Sequence, residues 1–265
     1  MEARIEAWVK KPQHGAYMRK LKEIGADIKE SFGWLKKCFL DPFLESYICA
    51  AQEMALFTKY HERNILETHN DATCRICRKP GSEETIYHIL SGCDSLAKRE
   101  YFTLHNAVCK YLHFVISNHY GLPTGKNWYM HVPKEAITSE CVDLVYDQVL
   151  FTDLEVGANR PDILIKDKAA KKTYLIDVSC PCDINIHKSE ATKVAKYIGL
   201  KGQLQKLYGF DCMIIPVIIG GLGAVTYNLK DHLAKIPGCP NITMCQKITL
   251  LGSKQILKDV LSRSR

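Results

Sequence analysis

Residues 160–179, RPDILIKDKAAKKTYLIDVS, carry the clearest fold pattern in the sequence. This stretch contains two short apolar runs, 163–166 and 174–178, that have the composition of strands and are joined by a polar link over 167–172. A link this short predicts an antiparallel hairpin. Asp162 precedes the first run and Asp177 lies within the second. We therefore expect the hairpin to bring these two carboxylates close together.

The segments that follow the hairpin predict a helix and a further strand. Over 188–207 the pattern is helical, and the side chains that fall near one face are Val194, Tyr197, Leu204 and Leu207. The run 213–219 is apolar and rich in β-branched residues, which indicates a strand buried on both faces. With a second helix over 245–261, this order predicts an α/β fold whose mixed sheet is flanked by helices.

Upstream of the sheet the sequence predicts two further parts. Residues 1–70 have apolar positions at roughly helical intervals, with a break at Asp41-Pro42, and predict a helical linker segment. Residues 71–115 begin with a cysteine-rich turn and continue into a helix over 95–114. We therefore divide the chain into a helical segment (1–70), a cysteine-rich segment with its following helix (71–115) and an α/β domain (128–265).

The composition is that of a globular protein, with 46% hydrophobic and 25% charged residues and a formal charge of +7. The longest apolar run, 213–222, is too short to span a bilayer, and the N-terminus lacks the order of segments of a secretory signal. We therefore expect an intracellular protein without membrane contacts. Residues 160–206 contain ten Lys or Arg against five Asp or Glu. This excess suits a polyanion such as DNA, and equally a solvated lysine-rich surface.

Three cysteines and a histidine have the spacing of a zinc site. Cys74 and Cys77 flank a tight turn, and His88 and Cys93 follow after a polar excursion. Three thiolates and one imidazole complete a tetrahedral shell and leave no position for substrate, which favours a structural zinc ion. Basic residues around the turn suit phosphate contacts, although the turn can equally serve to clamp two helical segments together. These basic residues are Arg75, Arg78 and Lys79.

Asp162 and Asp177 predict a second, catalytic metal site. Mg²⁺ prefers few carboxylates and completes its shell with water and phosphate oxygens, and it can polarise a scissile phosphate and generate hydroxide. In the PD-(D/E)xK pattern a lysine lies two residues after the second acid, but Ser179 occupies that position. Two lysines in the following helix can replace it, because they project from one helical sector together with a tyrosine. This set is Lys193, Lys196 and Tyr197. Taken singly, a Pro-Asp turn and surface lysines are also common without a catalytic role.

The order of these blocks resembles a known family. Residues 158–168, 175–179, 193–197 and 216–223 look like the restriction-like endonuclease region of non-LTR retrotransposon polyproteins. Residues 74–93 resemble the Cys-Cys-His-Cys zinc knuckle that precedes this nuclease, and residues 250–257 look like the end of such polyproteins. The resemblance covers most of the chain from about residue 70.

The resemblance implies a restriction-endonuclease-like fold of the PD-(D/E)xK type and a Mg²⁺-dependent DNA-nicking activity in which Mn²⁺ can substitute. The nick supplies the 3′ end for target-primed reverse transcription, so the implied partners are target DNA and element RNA, and the implied compartment is the nucleus. Carried over by position, the metal-binding acids and the residues that complete the site are Asp162, Asp177, Tyr197 and either Lys193 or Lys196. Arg160, beside the first acid, becomes a further DNA contact.

Three departures from the family keep other functions open. The sequence contains no reverse transcriptase domain, Thr192 stands where relatives often have an acid, and Leu104-His105-Asn106 stands where they commonly have Arg-His-Asn. The main alternative is therefore a catalytically inactive, retroelement-derived protein that binds nucleic acid. A zinc-stabilised interaction protein without a nucleic-acid role is the third possibility.

Overall fold

The computed structural model describes residues 6–7, 9–11 and 14–263, and a five-stranded sheet forms its centre. In spatial order the strands are β1 (Ala136–Thr138), β2 (Val142–Tyr146), β3 (Ile163–Asp167), β4 (Lys172–Ser179) and β5 (Asp211–Ile218). The first four strands form an antiparallel meander, and β5 pairs in parallel with β4. The predicted antiparallel hairpin and mixed sheet are therefore confirmed.

Helices precede the sheet and cross between its strands. The helices before the sheet are α1 (Ala16–Glu23), α2 (Ile28–Ser31), α3 (Trp34–Lys37), α4 (Pro42–Gln52), α5 (Lys59–Asn64), α6 (Asp94–Leu96) and α7 (Phe102–His119). Two single-turn π-helices, His88–Gly92 and Ala97–Tyr101, flank α6. The crossover that a parallel strand pair requires is made by α8 (Ile186–Lys196) and α9 (Ile198–Tyr208). After β5 come α10 (Leu229–Lys235) and α11 (Ile242–Ser262).

The two faces of the sheet carry separate cores because side chains alternate along each strand. On one face Ile163 and Ile176 pack with Val108 and Leu112 of α7. On the other face the buried side chains that pack together are Leu164, Leu175, Tyr197, Leu200 and Leu204. The sheet is therefore flanked by helices on both sides, as predicted.

The predicted helical structure over 188–207 is confirmed except at Tyr197, where the chain breaks into α8 and α9. One helical face therefore cannot run through the whole segment. Tyr197 and Leu204 are buried, but Val194 is 38% and Leu207 is 48% exposed. The break turns Tyr197 towards the sheet and leaves the other two apolar side chains at the surface.

A third core joins the N-terminal helices to the rest of the molecule. Tyr17 of α1 and Cys93 pack in one cluster with Ile186 of α8 and Val260 of α11. The Tyr17 hydroxyl donates to Asp183 Oδ1 at 2.9 Å, and backbone N–H groups of the 222–224 turn donate to the same carboxylate. Burial raises the pKa of Asp183 to about 6. The break predicted at Asp41-Pro42 is the start of α4, where the Asp41 side chain caps the helix.

Parts of the predicted segments lie outside the described residues. These are residues 1–5, 8, 12 and 13 of the helical segment and residues 264–265 of the α/β domain. Within the part of the chain that the structure describes, every helix is too short or too polar to cross a membrane.

Candidate active site and metal-binding cluster

Four side chains meet at the cysteine-rich turn. The ligand atoms of Cys74, Cys77, His88 and Cys93 all lie within 4.8 Å of one another, so this Cys/His cluster can hold a metal ion. Cys77 Sγ lies 3.5 Å from His88 Nε2. Cys74 and Cys93 are buried, whereas Cys77 and His88 are half-buried. The spacing in the sequence therefore identified four residues that come together in space.

A small hairpin and a helix start hold the Cys/His cluster in place. The Cys74 N–H donates to Ser82 O at 2.9 Å, and Arg78, with φ 51°, donates its N–H back to Cys74 O at 2.9 Å. His88 begins the first π-helix, where its N–H donates to Thr85 Oγ1 at 3.0 Å. The turn therefore presents the first two thiols, and the π-helix presents the imidazole and the third thiol.

Burial sets the protonation chemistry of the Cys/His cluster. It raises the pKa of Cys74, and it raises the pKa of Cys93 to about 12. At Cys77 burial raises the pKa, but hydrogen bonds from the Lys79 backbone and from neighbouring thiols outweigh it, and the net shift is downward. Burial lowers the pKa of His88, which favours the neutral imidazole that a metal ion requires. Thiolates in this environment need a bound cation to compensate their charge.

The three basic residues around the turn differ in their exposure and in their ion pairs. Arg75 is only 9% exposed, and its guanidinium donates to both oxygens of the buried Glu84 at 2.8 and 2.6 Å. Lys79 forms an exposed ion pair with Asp94. Arg78 is exposed at the tip of the turn. Arg78 and Lys79 therefore remain accessible to an anion, whereas the Arg75 guanidinium faces Glu84.

A cavity of about 970 Å³ opens beside the turn, between Lys59, Asp71, Arg75 and Arg263. Its size exceeds that of the clefts at the carboxylates described below. Two cations of this cavity are already paired with carboxylates. Lys59 lies 3.0 Å from Asp71 Oδ2, and Arg75 binds Glu84.

Asp162 and Asp177 lie at the open end of the hairpin, next to the outermost pair of the β3–β4 register. Ile163 of β3 pairs with Ile176 of β4, so the next residues outward in this register are Asp162 and Asp177. Directly opposite residues of an antiparallel pair lie on one face of the sheet, with Cβ atoms about 4.5–5.5 Å apart. The Val178 N–H also donates to Asp162 Oδ2 at 2.6 Å. Asp162 and the Asp177–Val178 stretch of β4 therefore lie at the same, open end of the hairpin.

Side chains of the crossover helices converge on Asp177, which is only 2% exposed. The Tyr197 hydroxyl lies 2.7 Å from Asp177 Oδ1, and Lys196 Nζ lies 3.7 Å from the same oxygen. Lys193 forms an ion pair with Asp177 Oδ2, although this oxygen lacks an aligned hydrogen bond. Charge rather than hydrogen-bond geometry therefore holds Lys193 there. All three residues predicted from the helical sector reach the same carboxylate.

Tyr197 is a fixed part of this centre. Its hydroxyl also lies 2.8 Å from Arg160 O and accepts a hydrogen bond from Lys196 Nζ at 2.8 Å. Burial, and then the neighbouring Asp177, raise the pKa of Tyr197 well above its ordinary value. The phenol therefore stays protonated and acts as a hydrogen-bond donor rather than as a base.

Two residues of this centre were not predicted as site residues. His105 of α7 places Nε2 3.0 Å from Asp162 Oδ2, so α7 reaches the carboxylates from the other face of the sheet. Asp147 directly follows β2, and its backbone N–H donates to Asp162 O at 2.9 Å. Its carboxylate holds Arg160 through two hydrogen bonds of 2.9 and 3.0 Å. Asp147 has no local sequence signal, because it reaches Asp162 only through the pairing of β2 with β3.

Two clefts meet at this centre and share Tyr101 and His105. One has a volume of about 490 Å³ and includes Lys188 and Lys193 in its lining. The other, of about 290 Å³, is lined on one side by Asp147 and Asp162. Asp162 therefore lines the smaller cleft, and Lys188 and Lys193 line the larger cleft beside it.

Comparison with known proteins does not extend this description. No protein-family model matches the chain, and no curated protein is significantly similar to it.

Proposed function

We propose that this protein is a metal-dependent DNA endonuclease of the restriction-endonuclease-like type, which nicks DNA at a centre formed by Asp162 and Asp177. One observation carries the proposal. The two aspartates lie next to the outermost β3–β4 pair, at the open end of the hairpin, and Asp177 is contacted by Lys193, Lys196 and Tyr197. Paired acids beside a cation are the groups that metal-assisted phosphodiester hydrolysis uses. The resemblance to the endonuclease of non-LTR retrotransposons supports the same reaction, with nuclear target DNA and element RNA as partners.

The residues at this centre fit a Mg²⁺ ion. Asp177 Oδ2 is buried without an aligned hydrogen bond, and among the described residues Asp162 Oδ1 has no hydrogen-bond partner. Asp162 Oδ1 is therefore open to a hard cation such as Mg²⁺, whereas Asp177 Oδ2 would share the cation with the Lys193 ammonium that faces it. When bound, Mg²⁺ or Mn²⁺ would polarise the scissile phosphate and lower the pKa of a coordinated water.

The chain's own side chains then divide the remaining work. Lys193, half-buried in the cationic cleft, supplies positive charge where a phosphate oxygen develops negative charge. Tyr197 fixes the orientation of Asp177 by donating to it while the same hydroxyl contacts Arg160 O. Lys196, 40% exposed, lies farther from the carboxylate and adds positive charge at the rim. Lys193 is therefore the stronger candidate for the catalytic lysine.

We also propose that the Cys/His cluster binds one structural zinc ion and forms a knuckle. Three thiols and one imidazole fill a tetrahedral shell, and their ligand atoms already lie within 4.8 Å of one another. The restriction-endonuclease-like assignment is supported by the order α7, β1–β4, α8–α9, β5, which places Asp162 directly before β3 and Asp177 on the neighbouring strand β4.

The surface around the centre suits the DNA backbone. Lys188 and Lys193 line one side of the cleft, and Arg160 is 56% exposed beside Asp162. Phosphate neutralisation by such groups supplies most sequence-independent affinity for DNA. Arg78 and Lys79 are exposed on the knuckle and can supply further phosphate contacts.

Supercoiled plasmid incubated with the purified chain and Mg²⁺ tests the proposal. We expect conversion to the nicked form, with loss of conversion in Asp162→Ala and Asp177→Ala. Asp231→Ala, an exposed acid of α10, is the matched control and should nick like the wild type. Equal nicking by all four proteins would exclude a centre at Asp162 and Asp177. Salt-dependent binding of DNA without cleavage, in either Mg²⁺ or Mn²⁺, would instead select the inactive nucleic-acid-binding protein.

A further inference from the structure

His105 holds one oxygen of Asp162 from the side of the sheet opposite to the lysines. Its Nε2 lies 3.0 Å from Asp162 Oδ2, and the Val178 N–H donates to the same oxygen at 2.6 Å. His105 is one-quarter exposed and Asp162 less so. Two donors thus engage Oδ2, and this fixes the carboxylate so that Oδ1 is the oxygen left for a cation.

The residue one helical turn earlier connects the same helix to the Cys/His cluster. The Tyr101 hydroxyl accepts a hydrogen bond from the Cys93 N–H at 3.0 Å. It also lies 2.8 Å from Ile89 O and 3.2 Å from His88 O, to which it can donate. Because α7 begins at Phe102, directly after Tyr101, the position of His105 depends on this attachment.

We propose that His105 is a positioning residue for Asp162, and that Tyr101 places it there by attaching α7 to the Cys/His cluster. This inference rests on the proposed function, since it assigns a role at the same carboxylate centre. A side chain that hydrogen-bonds a ligating carboxylate orients it, and its loss typically lowers metal affinity 10–100-fold. In the absence of His105 only the Val178 N–H would hold Oδ2.

A direct metal-binding role for His105 fits the geometry less well. The ligand atoms of His105, Cys109 and Asp162 lie within 4.8 Å of one another. However, Cys109 Sγ is 3.7 Å from both ring nitrogens, which puts the sulphur over the face of the ring. A metal ion binds an imidazole nitrogen in the ring plane, along its lone pair. His105 Nδ1 also faces Asn106 Oδ1 at 3.0 Å, so both nitrogens already face oxygen atoms.

Calorimetric titration of the whole chain with Mn²⁺ alone tests the proposal without relying on cleavage. We expect His105→Ala to weaken the Asp162-dependent binding of Mn²⁺ by about tenfold or more. His105→Gln should recover most of this loss, because its amide N–H can donate to the same oxygen. His119→Gln, an exposed histidine at the far end of α7, should bind Mn²⁺ like the wild type.

Tyr101→Phe tests the attachment, because it removes only the hydroxyl. It should weaken Mn²⁺ binding in the same direction, and the double variant with His105→Ala should bind no more weakly than His105→Ala alone. Such non-additivity is expected when one residue acts through the other. Independent, additive losses would overturn the role of Tyr101.

The outcomes separate this inference from the proposed function. If Asp162→Ala binds Mn²⁺ as tightly as the wild type, no carboxylate centre exists and both proposals fail. If Asp162→Ala abolishes binding but His105→Ala leaves it unchanged, the endonuclease proposal stands and the role of His105 is overturned. If His105→Gln is as weak as His105→Ala while both retain the wild-type circular dichroism spectrum, the hydrogen bond is not the cause.

Discussion

Replacing Arg75 with alanine should destabilise the fold rather than remove a DNA contact. Glu84 is 0% exposed, and its carboxylate receives the Arg75 guanidinium at 2.6 and 2.8 Å. Two backbone N–H groups, of Lys59 and Arg75 itself, also donate to it at 2.9 Å. Arg75→Ala keeps the two backbone N–H donors but leaves the buried Glu84 carboxylate without the Arg75 guanidinium as its counter-charge.

The size of the effect follows from that buried charge. Breaking a buried ion pair by removing one partner typically costs about 3–5 kcal/mol. The remaining backbone donors place the expected loss at the lower end, about 3 kcal/mol of unfolding free energy. Removing both members, in Arg75→Met with Glu84→Gln, should recover part of it because no buried charge remains.

Urea unfolding of the metal-loaded protein measures this loss, and Arg78→Ala is the matched control. Arg78 is exposed on the same turn, so its removal should change stability by less than about 0.5 kcal/mol. DNA binding should show the opposite result. The slope of log binding constant against log salt concentration should fall by about one in Arg78→Ala and stay unchanged in Arg75→Ala. Wild-type stability of Arg75→Ala together with a lowered salt slope would refute this reasoning.

Three further predictions concern catalysis, pH and metal content. Lys193→Met should slow single-turnover plasmid nicking about 100-fold. Lys196→Met should slow it less, because Lys196 lies farther from Asp177. Equal slowing would contradict the assignment of Lys193 as the catalytic lysine. The pKa of Asp183 rises from 3.8 to about 6 in the fold, so its contribution to stability is present at low pH and about 3 kcal/mol is lost as pH rises through 6. Asp183→Asn should flatten this fall in urea unfolding measured from about pH 4 to pH 7, and an unchanged slope would exclude it. Elemental analysis should find one zinc per chain, lost in Cys93→Ser but kept in Cys141→Ser, whose cysteine is exposed and outside the cluster; zinc retained by both would refute the cluster.

Local sequence carried enough information for the hairpin and for the Cys/His cluster. A four-residue turn separates β3 from β4, so their pairing depends on neighbours in the chain. The ligands Cys74 and Cys77 likewise share one turn. The apolar run of β5 was identified because most of this strand is buried, although it lies at the edge of the sheet beside β4. These elements need no knowledge of distant contacts.

The rest depends on contacts between distant parts of the chain. Strands β1 and β2 are short and only partly buried, so their residues carry a weak alternating pattern. The helix breaks at Tyr197 because this side chain packs on the sheet and hydrogen-bonds to Asp177. Helical periodicity in the sequence does not predict such a contact. His105 meets Asp162 across 57 residues of sequence. Spacing alone therefore revealed the acids but not the helix that supports them.

The hairpin that carries the acids also offers a place to attach a reporter. Its turn, residues 168–171, lies at the opposite end of five strand pairs from Asp162 and Asp177, a separation of roughly 17 Å at the rise of a β-strand. Ala169 and Ala170 are exposed there. Exposed loop tips accept inserted residues well. A fluorophore or short tag in this turn would therefore be attached to the strands that carry the acids. It would lie near enough to sense bound DNA and would leave the β3–β4 register intact.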